Sequence, residues 1–297
     1  MKKVNKVILA DISLLLVAVF WGGGFVAVKD AVNSISPFYM IALRFAAASV
    51  ILMLIFFKKL KAITKADIKA GFIVGVFLFL AFAAQTTGAQ YTTAGKQAFL
   101  TGINVIIVPL ITWLISRVKP DIYTFIAAVL ALLGIGLLTL KDGFVMNAGD
   151  MLTILCAFFF ALHIACLGHY AKKVDSITLA VTQMAAASIM AFIGALIFEP
   201  FPKEIPKNAY ASMIYIVIFS TMLAFLIQTA AQKHTTSDHA AIILSFESVF
   251  GSILAVLFLG DIFTINMIIG CALIFCAIII AETKLKFLCK NKMTVGG

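Results

Sequence analysis

Charge is what this sequence has least of. Only 12% of its 297 residues are Asp, Glu, Lys or Arg, against 63% hydrophobic, whereas a soluble domain usually carries about 25% charged residues. So few charges cannot cover a water-facing surface. The alternating segments of about 10 residues that build a spanning β-barrel are missing too. So are an ATP-binding sequence, a phosphate loop, an HExxH pair and any recognisable catalytic triad. Five cysteines (Cys156, Cys166, Cys271, Cys276, Cys289) form no CxxC pair, and four lie inside apolar runs as small packing residues. Neither a disulfide, a metal site nor a cofactor is expected.

What is present is a succession of long apolar runs. A spanning helix uses roughly 20 such residues, and ten candidates can be drawn: 8–29, 37–57, 70–90, 96–116, 122–140, 148–169, 177–198, 209–232, 239–259 and 263–281. Continuous runs of this length call for helices, which satisfy their backbone groups internally, as lipid demands. Lys2, Lys3 and Lys6 before the first run resemble a signal peptide. That run is too long for such a segment and contains Trp21 and three glycines, so it reads as a retained first helix.

The net charge of +10 has its meaning loop by loop. With the N-terminus inside, 17 of the 23 Lys and Arg residues fall in cytoplasmic segments, which places both termini in the cytoplasm of a cell that keeps the protein in its plasma membrane. Basic loops facing anionic lipid account for the charge, and no nucleic-acid partner is expected.

The chain repeats itself. Arg44-Phe45-Ala46-Ala47-Ala48-Ser49 aligns with Gln183-Met184-Ala185-Ala186-Ala187-Ser188, Gln85-Thr86 with Gln228-Thr229, Thr92-Thr93 with Thr235-Thr236, and Asp121-Ile122-Tyr123-Thr124 with Asp261-Ile262-Phe263-Thr264. The division that follows is 1–141, 142–284 and a basic cytoplasmic tail, 285–297. Five helices per half is an odd number, so the second half enters the membrane upside down. The loop charges agree, because Lys58, Lys59, Lys61, Lys65 and Lys69 give way in the second half to a stretch with Lys203, Lys207, Glu199 and Glu204. The expected fold is all-α, ten transmembrane helices in two inverted five-helix repeats around a central cavity. Such repeats place a substrate site near the midplane.

Specific residues then resemble a known family. Trp21-Gly22-Gly23-Gly24-Phe25 with Lys29, Pro37 and Arg44-Phe45, and near the other end Leu244-Ser245-Phe246-Glu247 with Phe250 and Leu259-Gly260-Asp261, look like the signatures of the drug/metabolite transporter superfamily, EamA type. Ser248 stands where that family often has proline, and Asp261 replaces its usual glutamate. The resemblance implies a 5+5 inverted fold, a central cavity and export or exchange of amino acids or related metabolites.

Charged groups inside spans cost at least about 2.5–3.5 kcal/mol and are functional candidates by default. Glu247 either binds a substrate ammonium or carries a coupling proton, or it forms with Arg44 an intramembrane ion pair or network that fixes packing between the halves. Arg44 either grips a carboxylate or serves structure. Trp21 and its glycines form either an aromatic wall or a close helix contact. Gln85, His163, Gln183 and Gln228 are each ligand contacts or interhelical hydrogen bonders. Asn104 falls opposite Glu247 in the repeat alignment, so both are expected at the cavity. Lys29 and Lys96 either snorkel or, for Lys29 on the strength of the resemblance, contact substrate at a gate.

The leading expectation is a secondary transporter, not an enzyme, in which one five-helix bundle rocks against the other. Its partners would be a small-molecule substrate, membrane lipid and a coupling proton, in a monomer or homodimer. The alternatives are a multidrug or nucleotide-type transporter, an intramembrane lipid-handling protein or enzyme, and a receptor or scaffold.

Overall fold

The computed structural model describes residues 2–32, 35–92, 94–139, 146–201, 209–259 and 264–284. All of its regular elements among these residues are helical. The expected basic tail, Asp261 and the Lys203 to Lys207 stretch lie outside them, as do the side chains of Lys29 and Lys96.

The first repeat comprises α1 (Lys2–Val32), α2 (Pro37–Ile55), a short α3 (Phe57–Leu60) in the basic loop, α4 (Lys65–Ala89), α5 (Ala94–Gly102), α6 (Asn104–Ser116) and α7 (Ile122–Thr139). The second comprises α8 (Ala148–Tyr170), α9 (Ser176–Phe198), α10 (Ala209–Tyr215), a π-helical segment (Ile216–Leu223), α11 (Ala224–Gln232), α12 (Ser237–Leu244), α13 (Glu247–Leu259) and α14 (Ile265–Thr283).

Among the described residues seven helices are long and apolar enough to cross a membrane, and Ile122–Leu137 and Ile265–Ala281 are shorter apolar helices. The remaining rod, α12 with α13, is interrupted. Ten rods in two sets of five result.

The ends follow from local chemistry. Thr64 and Asp67 close a capping box at the start of α4, and Asn147 and Asp150 do the same for α8. The first turn of α2, which begins with Pro37, is capped from another helix. Glu199 accepts hydrogen bonds from Phe38 N at 2.8 Å and Tyr39 N at 3.0 Å. A carboxylate at that place also meets the positive end of the helix dipole.

The two repeats are interleaved. Heavy contacts run between them: α7 with α14, α2 with α9, α4 with α8 and α9, and α1 with α13. Two of these, α2 with α9 and α7 with α14, join helices that correspond to each other, as a two-fold axis in the membrane plane requires. The repeated Ala-Ala-Ala-Ser motif packs there, with Ala48 and Ala187 fully buried in one cluster and Ser188 Oγ donating to Ala42 O at 3.1 Å. The interface between the two sequence halves is therefore extensive.

The outward faces are apolar. Leu54, Leu196, Phe198 and Leu257 are each more than 60% exposed, a cost in water that hydrocarbon removes.

A central cavity between the repeats

Three interruptions of regular helix surround the midplane. Between α5 and α6 the backbone tightens at Ile103, whose N–H bonds Leu100 O. The same happens at Ser245 and Phe246 between α12 and α13, where Phe246 N bonds Ile243 O. Asn104 and Glu247 are thereby the first residues of α6 and α13. The repeat mates occupy equivalent half-helix starts, the kind of discontinuity from which transporters build sites.

The third interruption is the π-helical segment, and such segments often sit at functional places. The Ser220 carbonyl within it accepts Trp21 Nε1–H at 3.0 Å and an Arg44 Nη2–H at 3.4 Å. Arg44 Nε donates to Thr221 Oγ1 at 2.7 Å, and its Nη2 also reaches Ser220 Oγ at 3.3 Å. The guanidinium carbon lies 4.6 Å from the centre of the Phe82 ring, a cation–π arrangement. Arg44 is only 3% exposed, and neutral groups do all of this holding.

The glycines after Trp21 allow α1 to approach so closely. A Cβ on Gly22 would stand 2.7 Å from Gly251 N and 3.0 Å from Glu247 O, and one on Gly24 would stand 2.7 Å from Ser220 Oγ. The run makes a close helix contact, and Trp21 itself also stands in the cavity wall. The consequence of that contact is positional, since α1 touches both the turn carrying Glu247 and the segment holding Arg44.

Arg44, Glu247, Trp21, Asn104, Gln85, His163 and Gln228 all line one cavity, with about 90 Å³ open to the centre of a water molecule. One water needs about 10–15 Å³ on that measure, so the space admits a small metabolite or several waters. Phe82, Phe160, Ser220, Thr101 and Gln97 complete much of the wall. Thr101 and Gln97 lie one and two turns before Asn104, so helical spacing could have found them; nothing in the sequence marks Phe82 or Phe160.

Arg44 and Glu247 do not form an ion pair with each other. The Arg44 bonds are those given above, and the half-buried Glu247 carboxylate makes no hydrogen bond or ion pair with any described residue. The direct ion pair is thus absent, while Arg44 joins the two repeats through Thr221 and Ser220.

His163 and Gln183 belong to a closed network. Gln183 Nε2 donates to Thr229 Oγ1 at 2.9 Å, and that hydroxyl donates to Phe225 O at 2.6 Å. Gln183 Oε1 is left to accept from His163 Nε2 at 2.9 Å. This sets the imidazole proton on Nε2 and leaves Nδ1 as an acceptor.

Lining residues such as Val28 on α1, Ala89 at the end of α4 and Gln97 near the start of α5 place the cavity in the half of the bundle away from the termini. The other half is closed. Gln232 Nε2 and Ser237 Oγ both donate to Ile164 O, at 3.1 and 3.2 Å, and His239 lies 3.3 Å from Asp11.

The sequence of the EamA-like transporter family matches this chain twice, over residues 8–140 and 147–283. The chain belongs to that family. An uncharacterized transporter of Archaeoglobus fulgidus is 35% identical over 279 residues, covering 94% of this chain and 87% of that protein. The uncharacterized transporter YoaV of Bacillus subtilis is 26% identical over 281 residues, 92% of this chain and 95% of its own length. A solved protein crystal structure superposes with a TM-score of 0.80 at 14% identity, over 94% of this chain and 98% of that one, a likeness of fold. This EamA-like transporter is accordingly an integral membrane protein of the drug/metabolite transporter superfamily.

Proposed function

We propose that this EamA-like transporter is a secondary carrier of small zwitterionic metabolites, amino acids among them, and works by alternating access. The observation that carries the reading is the pair of opposite charges, Arg44 and Glu247, facing one cavity without neutralising each other. In a low-dielectric space, opposite charges held apart attract a ligand with both signs. Arg44 would take the carboxylate, since its planar fork suits that group. Glu247 would take the ammonium, with His163 Nδ1 as a further acceptor.

The transport cycle needs the cavity to open on the side of the termini, which means parting the Ile164, Gln232 and Ser237 contacts. By the distribution of basic residues that side is the cytoplasm, and the membrane is the plasma membrane. Glu247 is also the group able to carry a coupling proton between the two sides. A monomer or homodimer in lipid suffices, with no nucleic acid and no catalytic step.

The experiment is counterflow in liposomes preloaded with a metabolite panel. Uptake of labelled amino acids but not of sugars or nucleosides supports the reading, and stabilisation of the purified protein by lipid alone, with no uptake, refutes it. For proton coupling, a well-folded Glu247→Gln variant should lose the pH dependence of uptake. Retention of the parental profile would remove Glu247 from that role.

A further inference from the structure

Gln228 is an exception in its surroundings. It is fully buried on α11 and lines the central cavity, yet neither its amide nitrogen nor its amide oxygen has a hydrogen-bond partner among the described residues. Buried polar groups are nearly always paired, and each exception calls for an explanation.

The polar neighbours on the same helix turn elsewhere for their bonds. One residue on, Thr229 is held between Gln183 and Phe225 O. Gln183 divides its two amide atoms between Thr229 and His163. Gln232, one turn further, spends its amide nitrogen on Ile164 O and keeps its own Oε1 unpaired among the described residues. Gln228 differs from both glutamines in having both amide atoms unpaired, and it faces the cavity.

We infer that Gln228 is the specificity-determining residue of the cavity, and that it hydrogen-bonds an uncharged group of the substrate able both to donate and to accept, a carboxamide or a hydroxyl. A carboxamide needs both kinds of partner, because it presents two donor hydrogens and an acceptor oxygen. A purely apolar substrate group leaves it unpaired, and a site with unpaired buried polar groups rejects such an analogue far more strongly than a missing methylene would explain. A carboxylate or ammonium is better served by Arg44 or Glu247. This inference rests on the zwitterion reading of the same cavity and adds to it the chemistry of the third substituent.

The test uses the full chain in liposomes and isosteric substrate pairs, threonine against valine and asparagine against leucine. The parent should prefer the polar member of each pair by at least roughly 10-fold. Gln228→Met, of similar length and volume, should bring that ratio to about one, whatever its absolute rate of uptake. Its melting temperature should hold or rise, because an unpaired buried amide has been replaced by an apolar chain. Equal uptake of threonine and valine by the parent, or a preference that survives in Gln228→Met, overturns the inference and leaves the zwitterion reading standing. A drop in melting temperature with unchanged preference assigns Gln228 to packing and also overturns it. Absence of uptake of any zwitterion by the parent defeats both readings together.

Discussion

Arg44 and Glu247 come from different repeats, line the same cavity and are not bonded to each other. Their separation has a visible cause. The π-helical segment presents the Ser220 carbonyl and the Thr221 hydroxyl to the guanidinium, which is also covered by Phe82. Arg44 is therefore held by neutral oxygen atoms and an aromatic face, with no carboxylate of a described residue paired to it.

That docking depends on the shape of the guanidinium. Arg44→Lys keeps the charge but loses the geometry that reaches both Thr221 and Ser220. Affinity for a carboxylate-bearing substrate should fall about 10-fold, or about 1.4 kcal/mol, in a thermal-shift titration. Unchanged affinity would show that only the charge matters.

Gly22 sits where backbone meets backbone. A Cβ there would lie 2.7 Å from Gly251 N, and a backbone atom cannot swing aside as a side-chain tip can. Gly22→Ala should cost about 1–3 kcal/mol through overpacking and lower the melting temperature in detergent. Gly136→Ala is the control, since its Cβ would meet the edge of the Phe99 ring at 3.2 Å. It should be much milder, because the helix gains propensity from alanine.

Glu199 ties α9 to the start of α2 through Phe38 N and Tyr39 N. Glu199→Ala removes both acceptors and leaves two helix-end donors unpaired. The expected loss is about 0.5–2 kcal/mol, the range for a helix cap, read as a lowered unfolding midpoint. No change would mean that another acceptor replaces it.

On the side of the termini Lys59 reaches Asp175 at 2.9 Å, and Asp175 also caps α9 by accepting from Ile177 N and Thr178 N. Burial by itself would raise the Asp175 carboxyl, but the Lys59 hydrogen bond, the Thr178 and Ile177 amides and the Lys59 charge outweigh it and hold the group below its ordinary value. A depressed folded pKa contributes stability that is complete above the unfolded value, about 3.9, and is lost as pH falls through the folded one. Asp175→Asn keeps the cap and removes the charge. Its deficit in melting temperature should be small, as befits an exposed pair, and should vanish as the pH is lowered well below about 3.9. A deficit that persists in acid would trace to packing.

The same logic applies to Asp121 and Lys284, which join the starts and ends of the paired α7 and α14. Burial opposes, but the Lys284 hydrogen bond, the Thr124 amide and the Lys284 charge bring the Asp121 carboxyl down. Asp121→Asn should show an acid-dependent deficit of the same sign.

The sequence by itself determined that this chain lies in lipid, that it has two related halves and that these are inverted. Those properties reside in composition, in lysine placement and in spacing along the chain, all of which are local or periodic. It also marked Glu247, Asn104, Trp21, Arg44, Gln85, His163 and Gln228, because a polar group in an apolar run is conspicuous whatever the fold. Tertiary structure alone decided what these groups do to one another. Arg44 and Glu247 are both ionisable groups in apolar runs, but whether they pair depends on the π-helical segment and on the approach of α1. Gln183 and Gln228 are the same residue type on apolar helices, yet one is fully bonded and the other is not. The difference comes from which partners the crossing helices bring within hydrogen-bond reach: Gln183 on α9 meets His163 on α8 and Thr229 on α11, 20 and 46 residues away, and only the packing of those helices places them there.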